Sequence, residues 1–197
     1  MISAILRWLS KSHFASPNPM AHLKNPHIII RAYNPHSPAD SEAVAEIYGY
    51  HVANGTASFE IVPPTAEEMR ERFDGLLEKG FPILMACDDE DAVLGYAYCG
   101  TYKERAAYNG TVEDSIYVRH DSTARGIGLI LLEALIAEAK KRGYLQMMAV
   151  IGDSDNQGSI RLHEKAGFRM IGTAANIGFK FNRFLDVVYM QLDLSGE

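Results

Sequence analysis

Residues 113–142, EDSIYVRHDSTARGIGLILLEALIAEAKKR, run from a strand through a glycine-bearing turn into a long apolar helix without a break. A strand that feeds straight into a helix commits the chain to packing helix against sheet. Ser115–Val118 alternates as a strand does, and Gly126 and Gly128 fall where the helix begins. Such a turn leaves backbone N–H groups unpaired at the positive end of a helix dipole, where a phosphate or pyrophosphate can sit. The same spacing also serves as a plain tight turn. Two familiar phosphate loops are excluded. A P-loop ends in Gly-Lys-Ser/Thr, and a dinucleotide fingerprint needs a third glycine where Leu131 stands.

With 197 residues, 47% hydrophobic and 22% charged, the chain can bury one core without disulfides. The net charge of -6 argues against a nucleic-acid partner, which needs a basic face. Cys87 and Cys99 lie in apolar, strand-like runs and read as buried thiols of a reducing compartment such as the cytoplasm. The seven histidines show no paired ligand spacing, so no metal is expected. No apolar run reaches the roughly 18 residues that span a bilayer. Residues 1–26 hold Arg7, Lys11 and Lys24, and the first acid of the chain is Asp40. This stretch reads either as an organelle leader, mitochondrial for instance, or as an extension before a start at Met20. The folded domain is expected over 27–197.

Along that domain, HIIIRAY (27–33) is a strand, and a helix enters near Asp40 and closes at Asn54-Gly55. Thr65 and Glu68 form a capping box for a second helix that ends at Gly80. FPILMACD and VLGYAYCGT make a hairpin, TVEDSIYVR a further strand, and Gly143 stops the long helix. YLQMMAVIG, a short helix SIRLHEKAG, and the strands FRMIGTAA and LDVVYMQLDL complete the chain. The order β-α-α-β-β-β-α-β-α-β-β predicts an α/β fold with a mixed sheet and helices on both faces.

That order, with the glycine turn after the fourth strand and N-x-x-S-x-x-L-H-E-K-x-G-F (Asn156–Phe168) after the fifth, resembles the GCN5-related N-acetyltransferases (GNAT). YKERAAYNGTVEDSIYV, AVIG, SIRLHEKAGF and GFKFNRFLDVVYMQLDL look like the phosphinothricin and methionine sulfone or sulfoximine acetyltransferase group, over about residues 28–194. The resemblance implies a mostly antiparallel sheet of six or seven strands and acetyl-CoA as co-substrate. Its pyrophosphate would lie on Ala124, Arg125, Gly126, Ile127, Gly128 and Leu129. The main chain of Ile116, Tyr117 and Val118 would pair with the pantetheine arm, and Asn156 and Ser159 would contact that arm. Asn156 also reads as a helix N-cap. Thr123 departs from the Gln or Arg that usually opens the loop.

Acetyl transfer to an amine needs a neutral nitrogen, a polarised thioester carbonyl and a route for the leaving thiolate. Alternation sends Glu113 and Asp114 to opposite faces of their strand, so one of the two is expected to face the substrate. Glu113 keeps polar company and matches the general base of the resembled enzymes. The Val118 N–H would polarise the carbonyl. His163, four residues before Gly167, would protonate sulfur or orient the substrate. Lys103, Arg105 and Tyr108 suit a carboxylate or oxyanion, and Phe59 and Glu60 align with pocket positions. The tail GFKFNRFLDVV, with Asn182 and Phe184 where relatives carry glycine and tryptophan, is expected as a dimer or pocket element. The reading is an acetyltransferase for the α-amino group of a small amino acid or analogue, working as a homodimer. The alternatives are a peptide N-terminus or polyamine acetyltransferase, or an acyl-CoA-binding sensor that has lost its base.

Overall fold

The computed structural model of the protein describes residues 27–123 and 125–196; the expectation for the leader 1–26 lies outside them. The elements are β1 (Ile29–Ala32), α1 (Pro38–Asn54), α2 (Ala66–Glu78), β2 (Ile83–Cys87), β3 (Val93–Thr101), β4 (Thr111–Val118), α3 (Ile127–Lys141), β5 (Gln146–Gly152), α4 (Gln157–Lys165), β6 (Arg169–Lys180) and β7 (Arg183–Asp193). The strands form one sheet in the order β1-β2-β3-β4-β5-β7-β6. Every neighbouring pair is antiparallel except β4 and β5. The α/β layering, with a mixed sheet of seven strands, is the one expected.

Two apolar layers hold it together. On one face α3 buries Ile127, Leu131, Leu132, Leu135 and Ala139 against β2, β3 and β5. On the other, Val44, Ile47, Tyr48 and Val52 of α1 and Met69 and Phe73 of α2 cover Met85 and Tyr96. Each such side chain contributes about 2 kcal/mol by leaving water. The strand β2 is buried throughout because both layers meet on it. Cys87 and Cys99 are buried free thiols.

Three local features sharpen the expectations. Helix α1 begins at Pro38 under a Ser37 cap that accepts from the Asp40 N–H, two residues before Asp40, which lies in its first turn. Asp40 is buried, bonded to Arg31 at 2.7 and 2.9 Å. Gly55 ends α1 in an extended conformation, φ -140, so the helix closes without a left-handed residue. The last two strands reach further than FRMIGTAA and LDVVYMQLDL: β6 and β7 run on through residues 176–184 as one hairpin that turns at Phe181 and Asn182, with φ of 50 and 57. A two-residue turn of this type I′ kind demands left-handed residues at both positions, and Phe-Asn is a weak signal for it.

Candidate active site

Strands β4 and β5 begin as neighbours and then part. Their parallel pairing covers Thr111–Glu113 against 146–148, while β4 stays on β3 through Val118 and β5 stays on β7 through Gly152. The Arg119 N–H donates to Leu94 O at 2.8 Å. In an antiparallel ladder this sets the parity, so Tyr117 and Ser115 bond β3 while Ile116 and Val118 turn their N–H and C=O into the gap. An open strand edge inside a sheet is a place where an extended ligand can pair.

A cavity of about 800 Å³ runs from this edge to the start of α3. Ile116, Tyr117 and Val118 line it, and so do Gly126, Ile127, Gly128 and Leu129. Gly126 takes φ +80 as the N-cap of α3 and offers no capping side chain. The Leu129 and Ile130 N–H groups bond back to Gly126 O, leaving those of Ile127 and Gly128 toward the cavity end of the helix. A Cβ on Gly128 would stand 3.3 Å from Leu162 Cδ2, so the missing side chain lets α4 close on the turn. Asn156 and Ser159 line the cavity too, and Asn156 is the cap of α4, its Oδ1 accepting from the Ser159 N–H at 3.2 Å. Thr123 lines it while its hydroxyl donates to His120 O at 3.4 Å. Arg125 is exposed outside the lining, and Ala124 lies outside the described residues.

Sequence reasoning missed several lining groups. His51 of α1 places Nε2 2.9 Å from Val118 O, so the ring N–H occupies that carbonyl and Val118 keeps its own N–H for the gap. Nothing local could have revealed a partner 67 residues away. Arg161 and Lys165, one helical turn apart on α4, add cations, and their i, i+4 spacing was readable. Arg183 joins them, already paired with buried Asp153.

A second cavity of about 370 Å³ shares Ala57, Ile116, Tyr117, Asn156 and Ser159 with the first. Glu113, Asp114, His163 and Phe59 line it. Both residues line this cavity, Glu113 half-buried and Asp114 almost wholly buried. Burial pushes the Glu113 carboxyl up to about 7, and the Asp114 charge adds to it. Asp114 and His163 are each 2% exposed and bonded, Oδ2 to Nε2, at 3.0 Å. The His163 Nδ1–H donates to Ser159 O at 2.8 Å. Burial opposes the imidazolium most strongly, but the Asp114 bond, the Asp114 charge and the Ser159 carbonyl together outweigh it, and His163 titrates above its ordinary value. Asp114 Oδ1 is buried with no hydrogen-bond partner among the described residues.

Other expected residues lie elsewhere. Glu60 does not line the cavity; it accepts from Tyr48 OH at 2.9 Å and from Arg72 at 2.7 Å, bracing α1 against α2. Lys103, Arg105 and Tyr108 lie on the exposed β3–β4 loop, with Lys103 Nζ 5.4 Å from the Tyr108 ring centre. None of the three lines the cavity that holds Glu113, and no Lys or Arg lines it among the described residues.

The family model described as Acetyltransferase (GNAT) family matches residues 44–168. The chain belongs to this family. It is 44% identical over 156 residues to a phosphinothricin N-acetyltransferase of Alcaligenes faecalis, covering 79% of this chain and 79% of that one. It is 40% identical to an L-methionine sulfoximine/L-methionine sulfone acetyltransferase of Pseudomonas paraeruginosa, over 79% of this chain and 90% of the relative. A crystal structure of a GNAT superfamily phosphinothricin acetyltransferase from Sinorhizobium meliloti in complex with AcCoA superposes with a TM-score of 0.79 and 38% identity, over 84% and 88% of the two chains. The GNAT fold and the enzyme class, N-acetyltransferase, follow from these likenesses, and so does the group read from the sequence motifs.

Proposed function

We propose that this GNAT enzyme transfers the acetyl group of acetyl-CoA directly to the α-amino group of a small amino acid or analogue of the phosphinothricin, methionine sulfone or methionine sulfoximine type. The observation that carries the reading is the meeting of the two cavities at Ile116 and Tyr117, with Glu113 on the acceptor side. The names of the relatives support the acceptor class.

The larger cavity fits acetyl-CoA. The open edge of Ile116 and Val118 suits its amide-bearing arm, with Asn156 and Ser159 beside it, and the uncapped start of α3 suits its pyrophosphate. Arg161 and Lys165 supply charge for its phosphates. Acetyl-CoA brings the acetyl group to the junction as a thioester. The Val118 N–H polarises its carbonyl, a task that the His51 bond to Val118 O leaves it free to do. Glu113, raised to about 7, takes a proton from the incoming ammonium and passes it to solvent. The amine loses a second proton as the amide forms, and the departing thiolate takes it. His163 has both ring nitrogens engaged, so it orients the site through Asp114 rather than serving as a free acid.

Ile171, Ile177, Phe179, Phe181 and Phe184 stand exposed on the β6–β7 hairpin, which supports a homodimer through that face. A cytoplasmic location fits the two free thiols. One observation favours a second reading: the acceptor cavity holds two carboxylates and no Lys or Arg among the described residues, which suits a polyamine. The test of the mechanism is Glu113→Gln. Turnover falls by about 10²-fold or more while acetyl-CoA binding, measured by calorimetry, stays unchanged; wild-type turnover would remove Glu113 from the role of base.

A further inference from the structure

The segment between α1 and α2 forms the wall between the two cavities, because Ala57 lines both, Gly55 and Thr56 line the larger, and Ser58 and Phe59 line the smaller. It has no regular secondary structure of its own. Lys180, at the end of β6, holds it. Its side chain is almost wholly buried, at 5% exposure, and Nζ donates to Gly55 O at 2.8 Å and to Ser58 O at 2.7 Å. Nζ also stands 5.0 Å from the centre of the Phe181 ring. It makes no ion pair among the described residues. A buried ammonium satisfied by main-chain carbonyls loses much if either carbonyl moves away, so it pins both ends of the 55–58 turn.

Two glycines on the neighbouring strands show how closely the wall is seated. A Cβ on Gly152 of β5 would stand 2.2 Å from Thr56 O, and one on Gly178 of β6 would stand 2.2 Å from Phe59 Cε2. Ser58 Oγ shares a 2.8 Å hydrogen bond with Tyr48 OH and accepts from the Glu60 N–H at 3.1 Å. The wall is therefore pressed onto the sheet from below, tied to α1 by Ser58, and held from the hairpin side by one lysine.

We infer that Lys180 is a positioning residue for the acceptor, fixing Ser58 and Phe59 at the edge of the acceptor cavity while leaving the start of α3 untouched. The acceptor part of this inference rests on the acetyltransferase reading above; the tether does not. Lys180→Met keeps the aliphatic stem and removes the three donors. Hydrogen exchange of the amides of residues 56–60 reads the tether without turnover, and steady-state kinetics read the acceptor. The expected result is at least tenfold faster exchange in 56–60, a KM for the amino-acid acceptor raised about tenfold, and kcat and acetyl-CoA affinity within threefold of wild type. Lys180→Gln, which keeps an NH₂ donor on a shorter stem, falls between the two and serves if the methionine variant does not fold. Unchanged exchange overturns the tether. Faster exchange with an unchanged acceptor KM, or an equal loss in acetyl-CoA affinity, overturns the positioning role. A wild-type protein that acetylates no amino acid overturns the acetyltransferase reading and the acceptor role with it, while the exchange data still decide the tether.

Discussion

As the proposed base, Glu113 sits where two requirements conflict, since a base must be ionised to work and burial disfavours the ion. Its pKa near 7 places the acidic limb of kcat/KM near pH 7, well above an ordinary carboxylate. A limb near pH 4.5 would contradict the burial argument. The same shift bears on stability. Between about 4.5 unfolded and about 7 folded, the native chain holds a proton that the unfolded chain has lost, so stability falls as pH rises through that window. Above pH 7 the penalty is full, up to roughly 3 kcal/mol. Glu113→Gln should therefore raise Tm by several degrees at pH 8 and leave it nearly unchanged at pH 4, as scanning calorimetry can check. The sequence points to Glu113 by its polar strand neighbours Ser115 and Tyr117 and by the family resemblance, and the residue lines the smaller cavity. The buried Asp114–His163 bond was not legible in the sequence, because it joins groups 49 positions apart through a gap that alternation alone does not reveal.

At the scale of elements, the strand, glycine turn and helix of 113–142 were readable because each part follows local rules: alternation, a left-handed glycine and an apolar helix. Gly126 at φ +80 is the hinge of that unit. Gly126→Val forces a β-branched residue into left-handed backbone and should weaken acetyl-CoA binding by tenfold or more, measured by calorimetry; unaltered affinity would move the pyrophosphate elsewhere. The splay of β4 from β5 was not readable, since it depends on where a parallel pairing stops. The β6–β7 turn was hidden for a different reason: Phe181 and Asn182 adopt left-handed backbone without the glycine that advertises it. Asn182→Gly should stabilise the fold by about 0.5 kcal/mol in urea titration, because φ 57 carries no penalty for glycine.

For the whole molecule, the β6–β7 hairpin at the edge of the sheet presents a group of exposed apolar side chains, with Phe184 62% exposed. On the proposal that this face forms a homodimer, Phe184→Asp should give a monomer where the wild type sediments as a dimer in analytical ultracentrifugation. A monomeric wild type would contradict that proposal. The two cavities and Glu113 converge on the gap between β4 and β5, and the central claim is that this convergence acetylates amino acids. The direct measurement is thiol release from acetyl-CoA with purified protein and a panel of phosphinothricin, methionine sulfone, methionine sulfoximine, ordinary amino acids and spermidine. Turnover with at least one of the first three, exceeding that with spermidine, is the result expected; turnover with spermidine alone, or with no acceptor in the panel, would contradict the account.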